Sequence, residues 1–179
     1  MLFRSASEWI TKLITKEKTI HSFSREEFVA MLNVGQKSGH ILGHESRIIR
    51  NLFRFCSLKA TDIMTPRTVI AAMPQDATVR QAVKSAIQMP FSRLPLYGNG
   101  LDDITGFVLK EDLLVQRAKE KEDVKLESLK RNIRAVPDTI SLPNLLEFLL
   151  RHRQHVAVVI DEHGGNEGLV TLEDVVETL

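Results

Sequence analysis

One order of signals occurs twice in this chain, and it constrains the fold more than any other feature. The sharper copy ends in Gln154 to Val176, QHVAVVIDEHGGNEGLVTLEDVV. Val156 to Ile160 is a short β-branched run closed by turn residues, which predicts a buried strand rather than a helix. Asp161 to Asn166 contains two glycines and predicts a hairpin. Gly168-Leu169-Val170 is the return strand. Thr171 then caps a helix, with Asp174 at the third helical position as a variant capping box. Upstream, Ile133 to Val136 predicts a strand, Pro137 to Thr139 a turn, and Ser141 the cap of a helix that buries Leu142, Leu145, Leu146 and Leu149. The same order runs from Val69 to Gln116. A strand spans Val69 to Met73, and Pro74 to Ala77 form a turn. Thr78 and Gln81 make a capping box for a helix burying Val79, Ala82, Val83, Ala86 and Ile87. Strands Phe91 to Tyr97 and Ile104 to Val108 flank a turn at Gly98 to Asp102, and a helix begins at Leu109. Thr78 and Ser141 are offset by 63 residues, and Asp112 and Asp174 by 62. That regularity predicts an internal duplication: an α+β fold of two β-α-β-β-α units packed through their sheets.

A helical segment precedes the duplication. Ser24 with Glu26 and Glu27 predicts a helix start, and Gly39 its end. A second helix starts near Gly43, with Ile48, Ile49, Leu52, Phe53 and Cys56 as its apolar stripe, which makes the lone cysteine a buried structural thiol. Pro66 redirects the chain at LKATDIMTPR. The charge-dense Arg117 to Lys130 reads as a solvent-facing connection. Residues 1–20 leave two readings open, an amphipathic segment on a membrane or a packed terminal helix.

The net charge of +1 gives no strongly basic surface for nucleic acid. The spread is uneven, +5 over residues 1–67 and −4 over 68–179. One cysteine rules out an internal disulfide framework. No run of 18 apolar residues is present.

Catalytic chemistry has little support. His155 and His163 flank two acids, but the strand between them separates their Cβ atoms by roughly 20 Å or more, too far for one metal ion. No nucleophile elbow, zinc signature or phosphate-binding glycine loop occurs. A ligand clamp is the better expectation. Thr171 and Asp174 share the first turn of a helix, where a carboxylate can accept from vicinal ribose hydroxyls. The competing reading is that both only cap the helix. In the first copy Asp112 persists, but Leu109 stands where Thr171 does, so that clamp is incomplete. Arg67 and Arg93 remain open between phosphate contacts and solvated surface positions, and Thr65 between a local cap and the same ligand.

DIMTPR at Asp62 to Arg67, RLPLY at Arg93 to Tyr97 and HVAVVIDEHGGNEGLVTLEDVVE at His155 to Glu177 resemble the tandem CBS-domain pair (Bateman module) of the bacterial CorC/HlyC hemolysin-like family, related to the cyclin M metal transporters. The resemblance implies a helical connector over 1–57, a first CBS repeat over 58–118 and a second over 119–179, cut short at its end. It implies a non-enzymatic regulatory module that binds an adenine nucleotide, AMP or ATP with or without magnesium, and no tightly bound metal. The family's G-h-x-T/S-x-x-D pattern is complete from Gly168 to Asp174 and fails at Leu109. By the same resemblance Ile63, Met64, Thr65, Val156 and Ala157 line the adenine or phosphate portions. The implied partners are a second copy, through paired CBS modules, and a transmembrane domain in the full-length protein. That protein, linked to magnesium and cobalt efflux, places the module at the cytoplasmic face of the bacterial inner membrane. The fragment itself is expected to be soluble. The alternative is a nucleotide-independent dimerisation module.

Overall fold

The computed structural model describes residues 24–179, so the reading of residues 1–20 lies outside the described residues. The chain divides into two compact units, with the break between Arg47 and Ile48. In the first, helix α1 (Arg25–Lys37) starts at a full capping box, in which the Ser24 hydroxyl accepts from Glu27 N–H and Glu27 returns the bond. Gly39, at φ 75°, takes the left-handed conformation that ends it.

Helix α2 (Gly43–Ser57) crosses the break. Its buried anchor in the second unit is Phe55, 3% exposed. The expected stripe is therefore corrected: Ile48, Leu52 and Cys56 are exposed. Helical periodicity marks a set of neighbouring residues but does not say which edge of that set faces the core.

The second unit carries both copies of the predicted pattern. The first is β2 (Met73–Pro74), α3 (Val79–Gln88), β3 (Arg93–Tyr97), β4 (Ile104–Leu109) and α4 (Lys110–Ala118). The second is β5 (Arg134–Pro137), α5 (Leu142–Arg151), β6 (Val156–Ile160), β7 (Asn166–Thr171) and α6 (Leu172–Glu177). In each, the first two strands pair parallel around a helix and the last two form an antiparallel hairpin. Strand β1 (Thr65–Pro66) lies ahead of the first repeat yet pairs antiparallel with β7 of the second. The sheets are thus β1-β7-β6-β5 and β2-β3-β4.

The segments leading into the two repeats are exchanged. Lys59 bridges Ser141, the cap of α5, and Lys125 bridges Thr78, the cap of α3. Phe55 and Ala60 belong to the core built on α5 and β6, where Leu58, Ile63 and Met64 pack against it. Leu126 is fully buried in the core built on α3 and β3, joined by Val124 and Leu129. The connection expected to face solvent therefore contributes to a core. A third cluster, Ile70, Val156, Val158 and Leu169 with Phe107 and Ile104 against it, joins the sheets of the two repeats.

Three further expectations change. Val69 to Met73 is not one strand: Arg67–Val69 is a 3-10 turn with Val69 exposed, and only Met73 and Pro74 pair. Ile87 lies on the outer side of α3, half exposed. Ser141 takes the N-cap backbone conformation but makes no side-chain cap bond. Thr78 and Thr171 both make complete capping boxes.

Candidate functional site

The seam between the repeats opens into a cavity of about 620 Å³, within the range of small-molecule pockets. Its walls come from three places. Thr65 and Val69 to Ala71 enter from the lead-in of the first repeat. Pro90 to Arg93, Pro95 and Phe107 come from its hairpin. His155, Val156, Leu169, Thr171, Leu172, Glu173 and Val176 come from the second repeat. Ile70, Val156 and Leu169 are buried in the inter-sheet cluster and make an apolar floor, whereas Val69, Phe91 and Val176 are exposed at the rim. Polar groups are few: Thr65, Ser92, Arg93, His155, Thr171 and Glu173.

Local backbone chemistry sets these side chains. The β6–β7 register places Val156 opposite Thr171, and Leu172 N–H donates to His155 O at 3.0 Å. In the first repeat Lys110 N–H donates to Ser92 O at 2.9 Å, which holds Ser92 and Arg93 at the mouth. Thr171 N–H and its Oγ1 both donate to Asp174 Oδ2, at 2.8 and 2.7 Å, and Asp174 N–H donates to Thr171 Oγ1 at 3.1 Å. Thr171 faces the cavity with its proton committed to Asp174. Asp174 is not itself among the lining residues, and its Oδ1 takes no part in the capping box.

Of the residues singled out from sequence, Thr65, Arg93, Val156 and Thr171 meet at this cavity, and Asp174 is bonded directly to one of them. The others lie elsewhere. Ile63 and Met64 pack against the second-repeat core, and Ala157 is fully buried within it. Arg67 Nη1 donates to Asp102 Oδ1 at 3.1 Å, an exposed pair. Asp112 Oδ2 accepts from Arg131 Nη2 at 3.0 Å.

Sequence reasoning passed over Pro90 to Ser92, Phe107 and His155. A register comparison could have found two of them, because His155-Val156 stands to Thr171 as Ser92-Arg93 stands to Leu109. Among the described residues no group of three or more His, Cys, Asp or Glu side chains could hold a metal ion. No helix among them is long and apolar enough to cross a membrane.

Two packed β-α-β-β-α repeats with a cleft at their seam define the CBS-domain class of module. The CBS-domain family model matches residues 123–179, the second repeat. A UPF0053 protein of Synechocystis is 34% identical over 172 residues, 96% of this chain and 50% of that protein. A possible hemolysin C of Rickettsia bellii is 36% identical over 137 residues, 75% of this chain and 45% of that one. The chain thus spans half or less of the length of these curated relatives. The CBS domain of a bacterial CNNM/CorC family Mg2+ transporter superposes with TM-score 0.78 at 33% identity, covering 87% of this chain and 94% of that one. The same domain in complex with ATP gives 0.71 at 32% identity, over 75% and 96%. A CBS-domain pair with bound AMP from Klebsiella pneumoniae gives 0.61 at 28% identity, over 68% and 97%. The chain belongs to the CBS-domain family, and it is similar to UPF0053 and hemolysin C-like proteins and to the CBS domain of a bacterial CNNM/CorC family Mg2+ transporter.

Proposed function

We propose that this module binds an adenine nucleotide in the cleft between its repeats and passes the binding state to a membrane-embedded part of a longer transport-related protein. The observation that carries the reading is the cavity of about 620 Å³, with apolar walls and a few polar groups near its mouth. Ile70, Phe107, Val156 and Leu169 offer a dry surface for a base. Thr171 and the Oδ1 of Asp174 are the acceptors for ribose hydroxyls, and Arg93 is the cation for phosphate. The similar modules described with ATP and AMP support the same ligand class.

Regulation requires that the nucleotide prefer one of two arrangements of the module. Half-exposed apolar residues on the repeat helices, Ile87, Leu114, Val115, Leu150 and Val176, supply a surface for a second copy. In a homodimer formed there, a change at the cleft reaches the partner. The membrane part sits outside this chain, and the module faces the cytoplasm, where adenine nucleotides are abundant.

Calorimetry with AMP, ADP and ATP, each with and without magnesium, tests the reading. Saturable binding, weakened by Arg93→Ala, is the expected result. Absence of binding at millimolar nucleotide, together with a stable dimer by light scattering, would instead support a purely structural dimerisation module.

A further inference from the structure

The β3–β4 turn is tied to the other repeat at two adjacent residues. Asn166 Nδ2 donates to Leu101 O at 2.9 Å, and Arg67 Nη1 donates to Asp102 Oδ1 at 3.1 Å. Asn166 begins β7, and Arg67 follows β1, which pairs with β7. The hairpin that ends in this turn carries Arg93, Pro95 and Phe107 to the cleft.

Asn99-Gly100 stands just ahead of these anchors. Of the asparagines in the chain, only Asn99 is followed by glycine; the others precede Val34, Leu52, Ile133, Leu145 and Glu167. Asn99 is exposed. The turn backbone is fixed on either side of it: Asn99 N–H donates to Asp103 Oδ2 at 3.1 Å, and Gly100 O accepts from Asp103 N–H at 2.9 Å. Between these bonds, Gly100 N–H finds no acceptor among the described residues, and the Asn99 side-chain amide finds no partner there. Apart from the chain neighbours, no atom lies within 4 Å of the place where a Cβ on Gly100 would stand. The glycine nitrogen is therefore open to approach, and its backbone is the least restricted of any residue type.

We propose that Asn99 is a site of spontaneous covalent modification whose product releases the turn from the second repeat. Gly100 N attacks Asn99 Cγ. The new N–Cγ bond forms, the Cγ–Nδ2 bond breaks, and the proton from Gly100 N leaves with the amide as ammonia. Water then opens the succinimide at either carbonyl. One product is an ordinary aspartate. The other is an isoaspartate, which routes the main chain through the side chain and lengthens it by one carbon. Both add a negative charge beside Asp102 and Asp103, a small effect at an exposed site. The longer main chain shifts Leu101 and Asp102 away from Asn166 and Arg67, and that shift undoes the tie.

The full chain and its Gly100→Ala variant, each kept in warm, mildly alkaline buffer, test this. Peptide mapping by mass and an isoaspartate-specific methyl-transfer assay read the modification, and thermal melting reads the release. Wild type should gain isoaspartate at position 99 and at no other asparagine, at least about tenfold faster than Gly100→Ala, whose Cβ restricts the approach. Its melting temperature should fall in step with the modified fraction, while that of Gly100→Ala holds. In Arg67→Ala, where one anchor is already gone, the fall should be smaller. An unmodified wild type, modification spread over the other asparagines, or an equal rate in Gly100→Ala overturns the proposal. So does a modified wild type that melts as when fresh, or an equal fall in Arg67→Ala. If Gly100→Ala does not fold, Asn99→Ser replaces it: a steady melting temperature on ageing supports the proposal, and a fall equal to that of wild type overturns it.

Discussion

Gly168 lies directly under the carbonyl oxygen of Thr65: a Cβ at that position would stand 2.5 Å from the oxygen and 2.8 Å from Met64 Sδ. Gly106 stands in the same relation to Arg131, whose carbonyl oxygen would be 2.5 Å from its Cβ. Each glycine is the gap through which a lead-in crosses the hairpin of a repeat. The glycine of the Gly168 to Asp174 pattern thus serves chain packing, while its threonine faces the cleft.

Gly168→Ala should destabilise the fold by about 1–3 kcal/mol, the usual cost of overpacking, because the obstructing atom is backbone. Thermal or urea unfolding measures it. A stability equal to wild type would show that β1 can lift off β7 freely, and the packing account would fail.

Asp174→Ala separates capping from binding. Loss of the box should cost about 1 kcal/mol of stability, and nucleotide affinity should fall at least tenfold, about 1.4 kcal/mol. Asp174→Asn retains an acceptor for Thr171 N–H and should keep most of the stability. Unchanged affinity in both variants would reduce Asp174 to a cap.

The Asp161 carboxyl is held below the ordinary aspartate range, chiefly by Gly165 N–H at 2.7 Å, with His163 N–H at 2.9 Å also donating to it. A depressed folded-state pKa contributes stability that is fully present above the unfolded value of about 3.9 and is lost as pH falls through the folded value. Acid titration should therefore weaken the hairpin below about pH 4, and Asp161→Asn should remove that part of the pH dependence. Carboxyl NMR titration checks the direction.

Asn166 is 2% exposed, and its Nδ2 donates to Leu101 O in the turn of the other repeat at 2.9 Å, while its Oδ1 has no partner. Asn166→Asp puts a carboxylate in that place and should cost about 3 kcal/mol near neutral pH. Burial raises its folded-state pKa, so the loss should shrink as pH falls from neutral toward about 4, the unfolded value, below which both states are neutral. Denaturant midpoints at pH 4 and pH 7 decide it, and equal losses at both would refute the argument.

Cutting the backbone between Glu120 and Lys121 leaves each fragment with one repeat and the lead-in that serves the other. Each alone should lack a cooperative melt, and an equimolar mixture should regain one. Circular dichroism with temperature reads the outcome. A cooperative transition in either single fragment would contradict the exchange of lead-ins.

Much of the fold was legible because its signals are local. Ser24, Thr78 and Thr171 announce their helices through side chains a few residues away, and the alternation of strand, turn and helix needs no distant partner. The exchanged lead-ins were not legible. A two-residue strand such as Thr65–Pro66 has no period to read, and its partner in β7 lies about a hundred residues on. Burial of Phe55 rather than Cys56, and of Leu126 within a charged stretch, depends on the same long-range docking. For the cleft, Thr171 and Arg93 could be found from side-chain chemistry. Phe107 and His155 come to it only through sheet register.

The crossing at Gly168 and Gly106 also bears on how such a chain could have arisen. One repeat with its own lead-in has no place within itself to lay that lead-in down. It would complete its sheet only by trading the segment with a second molecule, as partners do in a swapped dimer. The present chain is that trade carried out inside one polypeptide. Neither half can drift away or be deleted without opening the core of the other, while Leu109 and Arg131 could diverge from Thr171 and Thr65 because the crossing itself uses only their backbones.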